Sequence, residues 1–143
     1  MAELATYIPD QVVVTVAGIT LEGFGESSII RIEPADDAWK AKVGVDGQVS
    51  RSRSNNRMAR VTVTLMATSK SNAALSALYN LDRNSPNGAG VGAFQVRDLQ
   101  GMSLNRADEC WIARLPTVEY GGEVSEREWQ FDVAELEFGE AGN

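Results

Sequence analysis

The chain has 143 residues, with 13 Lys plus Arg against 20 Asp plus Glu and a formal net charge of −7. Apolar residues make up 43% and charged residues 23% of it, which excludes a disordered chain, and the length suffices to close a core without a metal or disulfide staple. No apolar run approaches the ~20 residues of a bilayer-spanning helix. The start, Met1-Ala2-Glu3-Leu4, shows no basic or apolar leader region, so the expectation is one domain over 1–143 that folds in a cytoplasm.

Strand patterns dominate in chain order. Gln11 to Ala17 is a β-branched run, and Gly18 permits a tight turn into a second stretch over 19–24. Ser28 to Glu33 follows, with Ile30 and Ile32 on one face, and Ala38 to Val43 forms a short candidate around Trp39. Arg60 to Ala67 alternates most cleanly, Val61, Val63 and Leu65 against Thr62, Thr64 and Met66. Thr68-Ser69-Lys70-Ser71-Asn72 then offers N-caps for a helix over about 70–82, whose Ala74, Leu75, Leu78 and Leu81 share a face. A break over Asn80 to Gly92 precedes strands at 93–99 and 102–105, joined by Gln100-Gly101. Strands at 110–120 and 123–136 flank Gly121-Gly122, a two-residue loop suited to a hairpin. In the last arm Trp129, Phe131 and Val133 face one way, and Glu126, Glu128, Gln130 and Asp132 the other. This pattern predicts a mainly β fold, a barrel or sandwich with one flanking helix.

Composition also limits the chemistry. The sequence has no histidine, which removes the commonest general base and every His-ligated metal site. Cys110 is the single cysteine; beside Asp108 and Glu109 it reads as an inert buried thiol whose acidic neighbours raise its pKa. Gly88-Ala89-Gly90-Val91-Gly92 follows a helix and enters a strand, the reverse of a phosphate-binding loop, and lacks that loop's lysine. The carboxylate pairs Asp36-Asp37, Asp108-Glu109 and Glu126-x-Glu128 have no calcium-loop spacing. No catalytic residue, cofactor or metal is expected, and the protein is read as a non-enzyme.

Charge is distributed unevenly. Residues 1–30 carry four acids and no base, residues 31–60 seven bases and four acids, and residues 108–143 two bases and ten acids. A protein with a pI near 4.6 makes a poor duplex binder. Acidic ends around a basic middle suit head-to-tail association between copies, or simply a solvated mixed surface. The basic stretch holds Asp46, Gln48, Arg51, Arg53, Arg57 and Arg60, in an extended inter-strand arm over about 44–58 that runs into the next strand. Three readings are open: a nucleic-acid arm without stacking aromatics, a solvated loop, or an arm that docks on the acids of another copy. Ordering such an arm costs about 1–2 kcal/mol per residue in backbone entropy, so it is expected to order only between copies.

Three stretches carry a resemblance: YIPDQVVVTVAG over 7–18, VGVDGQVSRSRSNNRMAR over 43–60, and VTVTLMATSKSNAALSAL over 61–78. In them, with G-x-D-G-x-V-x-R from Gly44 to Arg51 and T-S-x-S-N-x-x-L from Thr68 to Leu75, the chain resembles the tail tube proteins of contractile-tailed bacteriophages. The similarity runs from about Tyr7 to Phe138. It implies a β-barrel or sandwich with one flanking helix, six copies to a ring, and rings stacked into a hollow tube that conducts the genome. It further implies that the arm of Asp46, Gln48, Arg51, Arg53, Arg57 and Arg60 reaches an adjacent ring. The implied partners are other copies, a sheath protein, a tape-measure protein, and baseplate and tail-terminator proteins, with no small-molecule substrate. The implied place is the virion tail, assembled in the host cytoplasm. A DNA conduit is expected to repel phosphates, and Glu126, Glu128 and Asp132, on the outward face of their strand, are the candidate lumen-facing acids, with an outer surface under the sheath as the alternative. The tube of a tailocin or type VI-like secretion apparatus would look alike. A small carboxylate enzyme or a carbohydrate-binding β-sandwich is the reading of a different class.

Overall fold

Alternation decides where the strands form. The computed structural model describes residues 12–25, 30–99 and 103–140. Its elements, in chain order, are β1 (Val12–Val16), β2 (Ile19–Thr20), β3 (Ile30–Pro34), β4 (Trp39–Val43), β5 (Val49–Arg53), β6 (Ala59–Met66), α1 (Ser71–Asn84), β7 (Gly92–Asp98), β8 (Leu104–Arg114) and β9 (Glu126–Val133). Seven strands form one antiparallel sheet in the order β2-β1-β7-β8-β9-β6-β3, while β4 and β5 pair with each other.

The large sheet turns its alternate apolar residues to one side. From β6 these are Ala59, Val61, Val63 and Leu65; from β9 Trp129, Phe131 and Val133; from β7 Phe94 and Val96; from β1 Val14 and Val16. Ile30 and Ile32 of the edge strand β3 line a cavity together with Val12 and Val96, so the two flanks of the sheet curl toward each other over one core. Helix α1 lies on that core through fully buried Leu75 and partly buried Leu78 and Tyr79, whereas Leu81 of the expected face is exposed. Each large side chain buried here contributes about 1.5–3 kcal/mol. The fold is thus mainly β, a curled sandwich with a single helix among the described residues.

The T-S-x-S-N-x-x-L stretch is the joint between helix and sheet. The Asn72 amide donates to the carbonyls of Met66 (2.9 Å) and Ala67 (3.3 Å), and its Oδ1 accepts the indole N–H of Trp129 at 2.9 Å. The Ser69 hydroxyl donates to the Glu22 carbonyl and accepts the Ser71 amide N–H, while the Ser71 hydroxyl accepts the Glu22 N–H. Lys70 occupies the N-cap with no side-chain cap bond, so the hydroxyl-bearing residues expected as caps instead tie α1 to the segment after β2.

Several boundaries differ from the sequence reading, each for a physical reason. Val16 pairs with Ile19 across a two-residue turn, in which Ala17 (φ 50°) and Gly18 (φ 83°) both take the left-handed conformation that matches strand twist. β2 then stops at Thr20, and Phe24 meets Leu65 as an isolated bridge instead of extending a strand through 24. The two strands expected at 102–105 and 110–120 are one strand, β8, interrupted by a bulge. Its partner shifts from Phe94↔Ala107 to Gly92↔Cys110, leaving Asp108 and Glu109 both outside. The two-residue hairpin at Gly121-Gly122 does not form: β8 ends at Arg114 and β9 begins at Glu126, with Pro116 unable to donate to a ladder. β9 ends at Val133, and residues 137–139 return to bond Leu104 and Arg106. Gln100-Gly101, Met102 and the stretches before Val12 and at Ser28-Ile29 lie outside the described residues.

Candidate functional site

The expected arm is present between β3 and β6, and it has internal structure. β4 and β5 form a two-stranded ladder with five cross-strand pairs, from Trp39↔Arg53 to Val43↔Val49. Where the sequence suggested an extended arm, residues 39–53 pair with themselves in a ladder. Between the strands, Gly44 N–H donates to the Gln48 carbonyl and Gly47 N–H to the Gly44 carbonyl. Asp46 Oδ1 accepts the Gln48 N–H at 3.1 Å, and Gly47 adopts φ 85°, which only glycine takes without strain. The G-x-D-G-x-V-x-R motif is thus first a turn specification. Asp46 and Gln48 shape the hairpin tip, and Arg51 and Arg53 stand on β5.

Every residue of β4 and β5 is exposed. Cross-strand pairing puts Trp39, Ala41, Val43, Val49, Arg51 and Arg53 on one face, and Lys40, Lys42, Ser50 and Ser52 on the other. Arg51 stacks its guanidinium 3.8 Å from the centroid of the Trp39 ring. The sequence reading found the cations and missed the apolar half of this surface, Trp39, Val43, Val45 and Val49, because an exposed apolar side chain looks like a core one in a string of letters. Arg57 follows in the extended stretch after β5, exposed, with its carbonyl accepting the Leu136 N–H. Arg60 lies on β6, where its Nε is 3.5 Å from Asp132 Oδ1. The structure brings Asp46, Gln48, Arg51 and Arg53 together on the hairpin and separates Arg60 from them.

Glu126, Glu128 and Asp132 lie on the face of β9 that turns away from the core, with Gln130 between the last two. Glu128 stands opposite Thr64, Glu126 opposite Met66, and Asp132 opposite its ion-pair partner Arg60. This acidic strip is therefore partly neutralised at the Asp132 end.

The other features singled out from the sequence serve the fold. Asp36 accepts the Asp37 N–H (3.0 Å) and the Ser54 hydroxyl (3.3 Å), fastening the base of the hairpin. Asp108 pairs with Arg106 at 3.2 Å, and Arg106 also faces Glu137. In the glycine-rich stretch, Gly90 N–H donates to Asp82 and Ala89 N–H to Ser85, so amides that would cradle a phosphate are already spent on the end of α1. Cys110 is fully buried, and desolvation, with the Asp132 charge adding to it, pushes its thiol up to about 12. A neutral thiol is a poor nucleophile.

Sequence and fold comparisons agree with this architecture. Residues 10–139 match the family described as Bacteriophage PhiTE tail tube protein. Structural protein ORF10 of Pseudomonas phage KPP10 is 34% identical over 145 residues, spanning 97% of this chain and 84% of that protein. Among solved structures, the tube-terminating cap of the anti-feeding prophage is similar with a TM-score of 0.64 at 9% identity, over 99% of this chain and 95% of that one. The sheath/tube terminator of the PVC extracellular contractile injection system has a TM-score of 0.59 at 8% identity, over 94% and 97% of the two chains. A chain of the PVC sheath-tube complex follows with a TM-score of 0.58 at 7% identity, over 92% and 89%. At such identities the solved structures share a fold with this chain, while the family match embraces both the hairpin and the acidic face of β9. The chain belongs to the Bacteriophage PhiTE tail tube protein family.

Proposed function

We propose that the protein is the repeating subunit of a phage tail tube, with six copies closing a ring and rings stacking through the β4–β5 hairpin into a conduit for the genome. The observation that carries this reading is the hairpin itself. A lone two-stranded hairpin is marginally stable in water, and this one keeps Trp39 and three valines in solvent beside four cations. Such a surface gains by being covered. The sheet edges β2 and β3 have no second ladder partner among the described residues, and pairing edges across copies is a known answer to that liability. Sheath and terminator partners, named for the solved relatives, fit the same reading, as do tape-measure and baseplate proteins in a virion tail.

Negative-stain microscopy of the purified protein tests it. The parent chain is expected to give rings and tubes with rising concentration; a chain that stays monomeric throughout overturns the reading. Arg51→Glu with Arg53→Glu is expected to fold, to retain rings and to lose tubes, whereas long tubes of normal appearance would remove the docking role. The outward face of β9 is proposed to line the channel. Glu126→Lys with Glu128→Lys is then expected to leave assembly intact and slow DNA ejection, with Asp132 left in place because it holds Arg60.

A further inference from the structure

A cleft of about 540 Å³ separates α1 from the loop 115–125. Tyr79 and Trp129 contribute to its lining, and the loop adds Leu115, Val118, Tyr120 and Val124, all four exposed and Tyr120 90% so. The loop is held in shape from below. Arg127, almost completely buried, donates to the Ser125 hydroxyl at 2.7 Å and to the Glu119 carbonyl at 3.4 Å, with its guanidinium 5.7 Å from the Tyr120 ring centroid. The Ser125 hydroxyl in turn donates to the Glu119 carbonyl at 3.1 Å. A largely apolar cleft with a braced wall, left open by the described residues, is a surface that gains by being covered.

We propose that this cleft receives the β4–β5 hairpin of a second copy. The inference rests on the hairpin-docking reading above and adds the surface that accepts it. Two observations select this occupant. Charge is complementary: the cleft is lined by the exposed acids Glu119 and Glu123 and by one base, the buried Arg127, whose guanidinium is already bonded to Ser125 and the Glu119 carbonyl, while residues 39–53 hold Lys40, Lys42, Arg51 and Arg53 against Asp46 alone. Asp46 is already engaged by the Gln48 N–H. The apolar parts match as well, since the hairpin end carries Val43, Val45 and Val49 in solvent and the cleft offers an apolar wall.

Placement forces the contact to be between copies. The hairpin leaves the sheet at Pro34 and rejoins it at Ala59, opposite Val133, whereas the cleft lies at the far end of the same strand pair, where Met66 stands opposite Glu126. The eight residues of β6 hold the two about 23 Å apart. No hairpin residue lines the cleft of its own copy. A donor at one end and an acceptor at the other make a heterologous contact, which repeats without closing when copies are related along the strand direction.

Charge reversal on each side, and then on both, tests the pairing. The cleft variant is Glu119→Arg with Glu123→Arg, and the hairpin variant is Arg51→Glu with Arg53→Glu. All four side chains are exposed, so melting temperature and ring formation are expected to stay at parental values. Each variant alone is expected to lose tubes, and the chain carrying all four substitutions to regain them, because every hairpin then meets a cleft of opposite sign. Tubes of parental length from the cleft variant, beside a hairpin variant that forms none, overturn the cleft and leave the hairpin's docking role standing. A four-substitution chain that folds and forms rings but no tubes overturns the pairing. A cleft variant that builds normal tubes but no longer retains the sheath protein assigns the cleft to the sheath and overturns the proposal too.

Discussion

β6–β9 and β4–β5 are both antiparallel pairs from the same chain, and they are opposites in what they bury. In the first, Val61, Val63, Trp129 and Phe131 are at most 2% exposed; in the second every residue faces solvent. Each ladder bonds the backbone groups that its two strands turn toward each other, so the bonds within the pair do not distinguish them. Burial does. The first pair stabilises the subunit, while the second spends chain length on a surface that gains nothing until something covers it. A strand pair inside a subunit and a strand pair between subunits thus differ in where their apolar partners are located, not in their own geometry.

The largest test of that contrast is Trp129→Ala, which removes a fully buried indole and is expected to cost about 3–5 kcal/mol in denaturant unfolding. Asn72→Leu strips the acceptor from the Trp129 N–H and the donors from the Met66 and Ala67 carbonyls. The Met66 carbonyl keeps the Ser69 N–H, and the loss of the Asn72 partner from the Trp129 indole and the Ala67 carbonyl is expected to cost about 1–3 kcal/mol by the same measurement.

The buried side also has a pH signature. The Cys110 thiol ionises near 9.0 when unfolded but is held up to about 12 in the folded chain. Above pH 9.0 the unfolded state therefore binds fewer protons than the folded one, so this contribution to stability is complete below that pH and declines as pH rises toward 12. Cys110→Ala is expected to flatten the fall in stability across that window, read as the difference between the two unfolding profiles.

Arg60→Ala breaks an ion pair whose side chains are 58% and 21% exposed, and is expected to cost only about 0.2–1 kcal/mol. Smallest for the subunit, and sharpest for the comparison, is Gly47→Ala. It forces a side chain into φ 85° at the hairpin turn, so the melting temperature is expected to hold while tube yield falls. A drop in melting temperature as large as that of Asn72→Leu would mean that the hairpin belongs to the core after all.

Legibility in the sequence follows the same division. β1, β6, β9 and α1 were readable because their buried faces impose a period on the letters. The acidic face of β9 was readable for the same reason, as the complement of Trp129, Phe131 and Val133. The bulge at Asp108-Glu109 was not, since one extra residue reverses the parity that alternation relies on. The hairpin was half legible: β4 appeared around Trp39, but β5, Val-Ser-Arg-Ser-Arg, has no buried face to announce it. Gly121-Gly122 suggested a tight turn that does not form, since Pro116 and the exposed Leu115 and Val118 have already taken the chain out of the ladder. The cleft between that loop and α1 was invisible, because it is made by segments distant in sequence.

The placement of hairpin and cleft at opposite ends of β6 has a consequence for anything built from it. On the proposed stacking, a column of subunits is vectorial: one terminus is a cationic crown of free hairpins, the other an acidic collar of empty clefts. The factor that starts such a column and the factor that stops it then face opposite charges and opposite shapes. They cannot be interchangeable proteins, and a soluble acidic competitor would block one terminus only.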